Sequence, residues 1–528
     1  MKVLHINGNS LTVEDVRQVV YERGTVLLDP DARAAVERAR DVVEALVENN
    51  EVAYAINTGV GKLSDVRIEP AQIRELQVNL LRSHAVGVGE PLSEAESRAM
   101  LLLRANSLAK GFSGVRPLII DTLCEMLNRG VHPVIPSQGS VGASGDLAPL
   151  AHLALVLIGE GEVWATSKAR RTGDPNSRRL QAAKALNTAE IQPLTLEAKE
   201  AISLINGTQA MLAVGTLALI ASQILVDSAD VIGGLTLDAL QGTIRAMDER
   251  IHRARPHPGQ LQSAINVRRM VEGSEINASH ANCGRVQDAY SLRCIPQVHG
   301  AVRDTLAHCR EVFEIEMNAA VDNPLVFVEP KKVGQPKPIA GDSPRGDIIS
   351  GGNFHGEPVA FALDFLAIAL SALAGISERR IDRLVNPFLS EGLPPFLASG
   401  AGLNSGFMMP QVTAAALASE NKVLAHPASV DSITTSGNKE DYVSMGMTGA
   451  IKLKKVVQNT RNVLAIEALA AAQALDFLAP LKPNKLAQQA YAAVRAVSPK
   501  MEQDRSLAPD FVKVAGVIKR GELARVLG

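Results

Sequence analysis

Cysteine is scarce in this sequence, which contains 4 cysteines among 528 residues and no CxxC pair. So few thiols in so long a chain argue against a disulfide framework and fit a reducing compartment. An excess of charge is also lacking, because 54 lysines and arginines oppose 56 aspartates and glutamates, for a formal net charge of −2. This balance predicts no binding to nucleic acid and none to an anionic membrane.

Several signals that mark other protein classes are absent too. The N-terminal residues lack the apolar stretch and small-residue cleavage site of a signal peptide, which predicts a cytoplasmic location. The histidines show no HxxxH arrangement of the zinc-enzyme type, and no metal site is predicted. Gly139, Gly142 and Gly145 are not followed by Lys-Ser/Thr and do not form GxGxxG, which argues against a nucleotide-binding loop.

Helical periodicity, by contrast, runs through most of the sequence. Ser93 and Glu96 form a capping-box pattern before a run rich in alanine and leucine, so a helix is predicted to about Ala109. Thr195 is predicted to cap another helix. Strand signals are few and short, and the fold class is therefore predicted to be mainly α. Longer apolar helices are predicted over residues 208–232, 357–376 and 451–478.

The uncharged stretch from Ala210 to Val226 poses the question of a membrane span. It is 17 residues long, and a span needs ~20. Gln223 lies inside it, and Asp227 and Asp230 follow at once. Burial inside a thick helical bundle is therefore the preferred interpretation of a helix that is apolar all round.

Two stretches break the helical pattern. Residues 166–179 are basic and contain glycine and proline, as is typical of a solvated connection. Residues 329–347 contain four prolines together with glycines and lysines, so regular structure is not expected there. Both stretches are predicted to be surface loops.

The five residues Gly142-Ala143-Ser144-Gly145-Asp146 can make an electrophile from the backbone itself. If the Gly145 nitrogen attacks the Ala143 carbonyl carbon and water leaves, a five-membered imidazolone forms. Loss of the Ser144 hydroxyl as a second water then leaves an exocyclic methylidene. A Cβ at position 145 would obstruct the approach of its nitrogen, and Gly142 loosens the limits on the flanking turn. Taken alone, an Ala-Ser-Gly sequence would usually be only a tight turn before a helix.

The wider segment, residues 139–152 (GSVGASGDLAPLAH), resembles the signature of the aromatic amino acid ammonia-lyases. The resemblance runs from about Leu11 to the final helices and is strongest at five separated motifs. It implies that Ala143, Ser144 and Gly145 form the family's 4-methylidene-imidazol-5-one cofactor autocatalytically. It also implies an elongated multi-helix bundle with a smaller N-terminal domain that carries the electrophile loop, and a homotetramer whose active sites are assembled from three subunits. The expected domains are residues 1–196 and residues 197–528.

Tyr54 is the candidate base. Elimination of ammonia from an α-amino acid needs removal of a weakly acidic β-proton, so a base must accompany the electrophile. A lone tyrosine is usually a buried amphipathic residue, but this chain has only five, and Gly59 and Gly61 suggest a mobile loop that closes over a ligand. The segment resembles the family's tyrosine loop, with Ala55 where glycine is common and Val60 where an aromatic is common.

Arg293 is the candidate for a bidentate pair with the substrate carboxylate. Tyr290 precedes it by three positions, so both side chains are expected on one helical face. The segment resembles the family's motif, with Ala289 where proline is common. The resemblance implies that Tyr290 shapes the electrophile site. It gives roles to three more side chains: Gln287 as a hydrogen-bonding support, Asn206 as a contact to the cofactor carbonyl and substrate carboxylate, and Phe354 as a packing partner of the ring.

Ser83 and His84 offer polar groups where the family discriminates among aromatic rings. By resemblance, enzymes for phenylalanine are apolar there, and enzymes for tyrosine place histidine one position earlier. Glu420 supplies a carboxylate that can accept from an imidazole N–H or contact the amine, and the Pro427–Ser432 segment after it is like that of family members that act on histidine. A buried polar group without a partner costs ~1–3 kcal/mol, so L-histidine is the predicted substrate, with trans-urocanate and ammonia as products.

Two alternatives remain open from the sequence. One is an ammonia-lyase or aminomutase that acts on phenylalanine or tyrosine, against which His84 and Glu420 argue. The other is a non-catalytic helical assembly protein that kept the fold. Four intact residues argue against that interpretation: Tyr54, Ser144, Tyr290 and Arg293.

Overall fold

The computed structural model describes residues 3–49, 51–165, 179–329 and 346–528. Within these ranges helices predominate and strands are short, which confirms the predicted mainly α fold. The helices up to residue 317 are α1 (Val13–Tyr21), α2 (Pro30–Glu48), α3 (Ile73–His84), α4 (Glu94–Ala109), α5 (Pro117–Arg129), α6 (Leu147–Leu157), α7 (Ala182–Thr188), α8 (Glu200–Ile205), α9 (Gln209–Ala239), α10 (Glu249–Ala254), α11 (Pro258–Val271), α12 (Glu275–Ser279), α13 (Tyr290–Arg293) and α14 (Ile295–Met317). The later helices are α15 (Glu357–Val385), α16 (Met408–Leu424), α17 (Gly446–Phe477), α18 (Lys485–Arg495) and α19 (Ala508–Lys519).

The strands of the described residues form two-stranded pairs. The first pair is parallel and joins β1 (Val3–Ile6) to β2 (Thr25–Leu28). The others are antiparallel: β3 (Val88–Pro91) with β4 (Pro136–Gln138), β5 (Glu162–Trp164) with β6 (Arg179–Gln181), and β7 (Leu325–Val328) with β8 (Gly346–Ile349). Residues 166–178 and 330–345, which make up most of the two predicted surface loops, lie outside the described residues. The C-terminal ends of both loops differ from the prediction, because Arg179 belongs to β6, and Gly346 and Asp347 belong to β8.

Helix α4 begins with the predicted capping box. The Ser93 hydroxyl accepts from the Glu96 amide at 3.3 Å, and the Glu96 carboxylate accepts from the Ser93 amide at 2.6 Å. The prediction that Thr195 caps the next helix is wrong, since α8 begins at Glu200. The Glu200 carboxylate accepts from the Glu197 amide at 2.8 Å, so the turn into α8 is closed by this acid and not by a threonine hydroxyl.

The predicted long apolar helices are present as α9, α15 and α17, and each is longer than its prediction. These helices contain charged side chains within the core, and each such charge is paired with another side chain. Glu467 on α17 accepts from Arg380 on α15 at 2.5 and 2.9 Å and from Thr236 on α9 at 2.8 Å. Glu467 and Arg380 are both fully buried. A carboxylate buried with its hydrogen bonds satisfied is tolerated in a core, so it does not end a helix.

Helices α9 and α15 are long and apolar enough to cross a membrane by length and composition. However, 78% of the apolar window of α9 and 61% of that of α15 are buried inside the chain itself. Burial within the protein therefore accounts for their composition, as the sequence interpretation of α9 proposed.

Contacts divide the chain into two compact units. Unit 1 comprises residues 1–217, 310–363 and 428–451, and unit 2 comprises residues 218–309, 364–427 and 452–528. One apolar cluster of unit 1 is centred on Val42, Val43 and Ile56, and one of unit 2 on Ile381 and Ile466. The division into two contiguous domains, 1–196 and 197–528, stays a prediction, because contact clustering does not test which segments fold independently.

Candidate active site

The electrophile loop lies in unit 1 between β4 and α6. Its backbone is left-handed at three positions, with φ of +78° at Gly142, +51° at Ser144 and +75° at Gly145. A Cβ at Gly142 would lie 2.1 Å from the Ser444 hydroxyl, and one at Gly145 would lie 2.2 Å from the carbonyl oxygen of Gly207. Both glycines are therefore required by backbone conformation and by close contacts. Ser144 has a Cβ and adopts the same region, which is a strained conformation at a cost of roughly 1–2 kcal/mol.

Asp146 anchors the end of this loop. Its fully buried carboxylate accepts from the Ser140 hydroxyl at 2.8 Å and from the Met211 amide at 2.8 Å. Burial raises the pKa of Asp146 to about 6, and these hydrogen bonds oppose that rise. The Asp146 amide donates to Gly207 O at 2.8 Å, and the Gly207 amide donates to Ser144 O at 3.3 Å. The chain is thus held tightly on both sides of the Ala143-Ser144-Gly145 tripeptide.

This geometry fits the ring closure that the family cofactor requires. The Gly145 nitrogen, which would be the nucleophile, donates no hydrogen bond to any residue in the described ranges. The Ser144 hydroxyl, which would leave, is half-buried and donates to Glu440 Oε1 at 3.2 Å. A strained turn with an uncommitted amide nitrogen has less to lose on cyclisation than a regular hydrogen-bonded turn.

Asn206 lies beside this loop at the C-terminal end of α8, and it is 3% exposed. Its side-chain Oδ1 is buried and has no hydrogen-bond partner among the described residues. Its backbone is fixed by Arg104, whose Nη1 donates to Asn206 O at 2.7 Å. Burial lowers the pKa of the Arg104 guanidinium to about 10. A buried amide without a partner, at a rigid position next to the tripeptide, fits a group that contacts a cofactor or ligand.

Tyr54 lies half-buried in the loop that follows α2. Its hydroxyl accepts from the Gly61 amide at 3.3 Å. Ala55 has φ of +57°, so the backbone here is left-handed, a conformation that glycine adopts without strain. Gly61 is itself close-packed, because a Cβ there would lie 2.7 Å from the Ser436 hydroxyl.

His84 and Ser83 end helix α3. His84 Nδ1 lies 2.9 Å from Leu80 O and 3.0 Å from the Ser83 hydroxyl. A carbonyl oxygen only accepts, so in the neutral ring Nδ1 carries the hydrogen and Nε2 is left as an acceptor. The Ser83 hydroxyl also donates to Leu80 O, at 3.1 Å. In this structure Ser83 therefore supports the orientation of His84.

Three of the remaining predicted residues of unit 2 lie on two separate helices, and Gln287 precedes the first of them. Helix α13 carries Tyr290 and Arg293, and the Arg293 guanidinium lies 4.6 Å from the centroid of the Tyr290 ring. Arg293 Nε is buried and has no hydrogen-bond partner in the described part of the chain. Gln287 and Tyr290 are exposed, the latter by 71%. On α16, Glu420 Oε2 accepts from Asn459 Nδ2 at 2.7 Å.

Glu440 and Phe354 complete the residues of interest in unit 1. Phe354 is half-buried and precedes His355, whose ring stacks on Tyr442 at a centroid distance of 6.0 Å. Glu440 was not identified from the sequence, although it contacts Ser144. It is separated from Ser144 by 296 positions and lies in no recognised pattern, so only the folded chain shows the contact.

The structure thus joins Ser144, Asn206 and Glu440 within unit 1, and Tyr290 with Arg293 within unit 2. The roles assigned to the individual site residues stay predictions. Among the described residues, no group of three or more histidine, cysteine or carboxylate side chains could hold a metal ion.

Known proteins provide an independent comparison. The family model described as aromatic amino acid lyase matches residues 11–496. Histidine ammonia-lyase of Koribacter versatilis is 71% identical over 525 residues, which are 99% of this chain and 99% of that protein. The crystal structure of histidine ammonia-lyase from Trypanosoma cruzi has a TM-score of 0.87 and 41% identity, and covers 100% of this chain and 95% of its own. Tyrosine aminomutase from Streptomyces globisporus has a TM-score of 0.89 and 39% identity, with 99% and 98% covered. These matches confirm the resemblance inferred from the motifs, and the chain belongs to the aromatic amino acid lyase family.

Proposed function

We propose that this chain catalyses the non-oxidative elimination of ammonia from L-histidine to give trans-urocanate. The observation on which this rests is the electrophile loop, where Ser144 is held at φ of +51° between two glycines that admit no Cβ. The family and the name of the 71% identical relative support an ammonia-lyase with histidine as its substrate. The 4-methylidene-imidazol-5-one formed from Ala143, Ser144 and Gly145 supplies the electrophile.

The residues of the chain supply the other parts of the reaction. Tyr54 accepts the β-proton at its hydroxyl oxygen, to which the Gly61 amide donates at 3.3 Å. Arg293 binds the substrate carboxylate through its planar guanidinium, which the Tyr290 ring supports from one face. Asn206 would hold the cofactor carbonyl and orient the substrate carboxylate by donating from its side-chain Nδ2, since both of these groups accept hydrogen bonds.

Substrate choice rests on hydrogen-bond acceptors. His84 presents Nε2 as an acceptor because Nδ1 is committed to Leu80 O. Glu420 presents Oε1, since Asn459 occupies Oε2. Imidazole and amine N–H groups can satisfy such acceptors, whereas the ring of phenylalanine cannot. His84 is half-buried and Glu420 is exposed in this chain, and an acceptor that a bound substrate buries without a donor costs ~1–3 kcal/mol. Ser83 and Gln287 act as supports, and Phe354 packs near the ring.

A second candidate is an aminomutase for an aromatic amino acid. The observation that favours it is the likeness to tyrosine aminomutase from Streptomyces globisporus, at a TM-score of 0.89 and 39% identity. The two activities differ in product, because a lyase releases ammonia and an aminomutase returns a β-amino acid.

We also propose a homotetramer with shared active sites, in the cytoplasm and without nucleic-acid or membrane partners. The exposed apolar side chains of α15 support the association of subunits. Phe361, Phe365 and Ile368 are 45%, 43% and 47% exposed and recur at the spacing of one helical face. A face of this kind is typical of a subunit interface.

The test is substitution of the serine that must lose its hydroxyl. The wild-type chain is expected to lack the mass of two waters within the peptide that contains Ala143 to Gly145. Ser144→Ala cannot form the methylidene, so it is expected to lack at most one water and to lose histidine turnover by roughly a factor of 10³ or more. Intact-protein and peptide mass spectrometry, with urocanate formation as the activity measurement, check both points.

Ser222→Ala is the matched control. Its hydroxyl is fully buried in α9 and donates only along its own helix, to Ala218 O at 2.7 Å. This variant should lose two waters and keep activity. An active wild-type chain with its full unmodified mass, or an active Ser144→Ala variant, would refute the proposed cofactor.

A further inference from the structure

The carboxylate of Glu440 is aimed at the Ser144 hydroxyl by its own segment. Glu440 Oε1 accepts from Ser144 Oγ at 3.2 Å, and Oε2 accepts from Thr435 Oγ1 at 2.8 Å. The Thr435 amide also donates to Glu440 O at 2.9 Å, which closes the segment between them. One bond from Thr435 to the carboxylate and one to the backbone carbonyl of the same residue restrict the position of the Glu440 side chain. None of the catalytic roles proposed above uses this side chain.

The same segment is fastened to the electrophile loop at a second point. The Met445 amide donates to Val141 O at 2.9 Å. The Ser444 hydroxyl lies so close to Gly142 that a Cβ there would be 2.1 Å from it. The segment from Thr435 to Met445 therefore meets the loop on both sides of Ala143, and the contact between Glu440 and Ser144 is part of a fixed arrangement.

The chemistry of cofactor formation needs an acid at this place. After ring closure, the Cα–H bond and the Cβ–Oγ bond of Ser144 must both break. Hydroxide is a poor leaving group, so a proton has to reach Oγ as the Cβ–Oγ bond breaks. Asp146 is committed elsewhere, to the Ser140 hydroxyl and the Met211 amide. Glu440 is the titratable side chain that contacts Oγ, and it is half-buried, so water can exchange its proton.

We propose that Glu440 is the general acid for dehydration of Ser144. Its protonated carboxyl donates to Oγ along the 3.2 Å contact as the Cβ–Oγ bond breaks. The electron pair of the Cα–H bond forms the Cα=Cβ bond, and the Cα proton passes to water. Water then returns a proton to Glu440, so that one molecule of water is lost in total and Glu440 is unchanged. This inference rests on the proposed cofactor, and it assigns to Glu440 a step in making that cofactor.

The test follows maturation of the full chain over time. Wild type, Glu440→Gln and Glu440→Asp are made by cell-free translation, and intact masses are recorded at intervals. Glu440→Gln should still close the ring but lose the second water at least roughly 10-fold more slowly, since general acid catalysis contributes about 10²–10⁴. Glu440→Asp keeps an acid with a shorter reach and should mature at an intermediate rate. Histidine turnover should follow the fraction of mature chain.

Asp441→Asn is the matched control, because it removes the same charge from the exposed neighbouring position. It should mature like wild type. A pH series separates an acid from a structural support: the rate of the second loss should fall with rising pH in wild type, and this dependence should vanish in Glu440→Gln. If Glu440→Gln does not fold, as judged by circular dichroism, the rate and pH profile of Glu440→Asp decide, and a wild-type rate overturns the inference.

The experiment distinguishes a failure of the proposed cofactor from a failure of the role given to Glu440. A wild-type chain that loses no water refutes the proposed cofactor and this inference with it. A wild-type chain that loses two waters, together with a Glu440→Gln chain that does so at the same rate, overturns only the role of Glu440. Normal maturation of Glu440→Gln with low turnover would also overturn it, because Glu440 would then act on the substrate instead.

Discussion

His84 is held in one orientation by the last turn of its own helix, and this determines what it can recognise. With Nδ1 bonded to Leu80 O at 2.9 Å, the neutral ring offers Nε2 only as an acceptor. A substrate ring with an N–H group satisfies it. A phenyl ring leaves it without a partner.

Substitution His84→Leu tests this specificity. Histidine loses a polar partner in the variant, while phenylalanine no longer leaves one unsatisfied. The ratio of kcat/KM for histidine to that for phenylalanine should therefore fall by roughly 10–100-fold. Steady-state assays with both amino acids measure it.

His84→Gln is the companion variant, because its amide retains a hydrogen-bonding group at similar length. It should keep more of the preference for histidine than His84→Leu does. An unchanged ratio in His84→Leu would remove His84 from substrate recognition, and a wild-type preference for phenylalanine would remove histidine as the substrate.

Individual residues differ in how well the sequence predicted their part in the site. The Ala143-Ser144-Gly145 tripeptide was recognised through the resemblance of residues 139–152 to the family signature, since an Ala-Ser-Gly sequence alone would usually be a tight turn. The departure at Ala55 was visible, but its conformational consequence, an alanine held at φ of +57°, appears only in the fold. Glu440 gave no signal, since its partner Ser144 is 296 positions away and no spacing rule connects two loops at that distance.

At the scale of elements, the end of α9 is joined to the start of α12 through one buried acid. Asp238 Oδ2 accepts from the hydroxyl of Ser274, the N-cap of α12, at 2.7 Å. Asp238 Oδ1 is buried without a partner among the described residues. Burial raises the pKa of Asp238 to about 7, although the Ser274 hydrogen bond opposes the rise.

This raised pKa predicts a pH-dependent stability. Between the unfolded pKa, near 4, and the folded value of about 7, the folded chain binds a proton that the unfolded chain does not. Its stability should therefore fall as pH rises through this window, and the loss should be complete above about pH 7. Asp238→Asn removes the buried charge, so the variant should be more stable than wild type wherever Asp238 is ionised. The gain in free energy of unfolding should be small at pH 4 and rise to on the order of 2–4 kcal/mol at pH 8.

Denaturant unfolding at several pH values measures this difference. Ser274→Ala is the companion variant: it loses a helix cap, yet it keeps Asp238 and should shift the pH dependence to higher pH. A constant difference between Asp238→Asn and wild type from pH 4 to pH 8 would show that this carboxyl does not titrate in the window.

Element boundaries could be predicted only where a local signal exists. The Ser93–Glu96 capping box located the start of α4 correctly, because all its partners lie within three residues. Helices α9 and α15 extend beyond their predicted ends at residues 232 and 376. Arg380 continues α15 within the core because Glu467 pairs with it, and this partner is 87 positions away. Strands of three or four residues, such as β5 and β6, are too short to establish a period of two.

At the scale of the whole molecule, each compact unit takes its residues from three separate stretches of sequence. A composition profile follows the order of the sequence and cannot show that distant stretches pack together. The contiguous division at residue 196 stays a prediction. Two of the proposed active-site residues fall in different units. Tyr54 belongs to unit 1 and Arg293 to unit 2.

Mixed oligomers test whether these two side chains serve one site from different subunits. Tyr54→Phe and Arg293→Leu chains should each be nearly inactive when expressed alone. If a site takes Tyr54 from one chain and Arg293 from another, random co-assembly of equal amounts leaves about a quarter of the sites with both side chains intact. Co-expression should then restore about a quarter of wild-type turnover per site.

Co-expression of wild type with the Tyr54→Phe/Arg293→Leu double variant provides the matched control. Sites that draw the two residues from different chains should again retain about a quarter of the activity, because both contributing chains must be wild type. Sites built within one chain should instead retain about half, and the two single variants should then fail to complement each other. The pair of mixtures thus separates a shared site from a self-contained one by activity alone, without reference to the size of the oligomer. Complementation in the first mixture with about a quarter in the second is the result that the shared-site homotetramer requires.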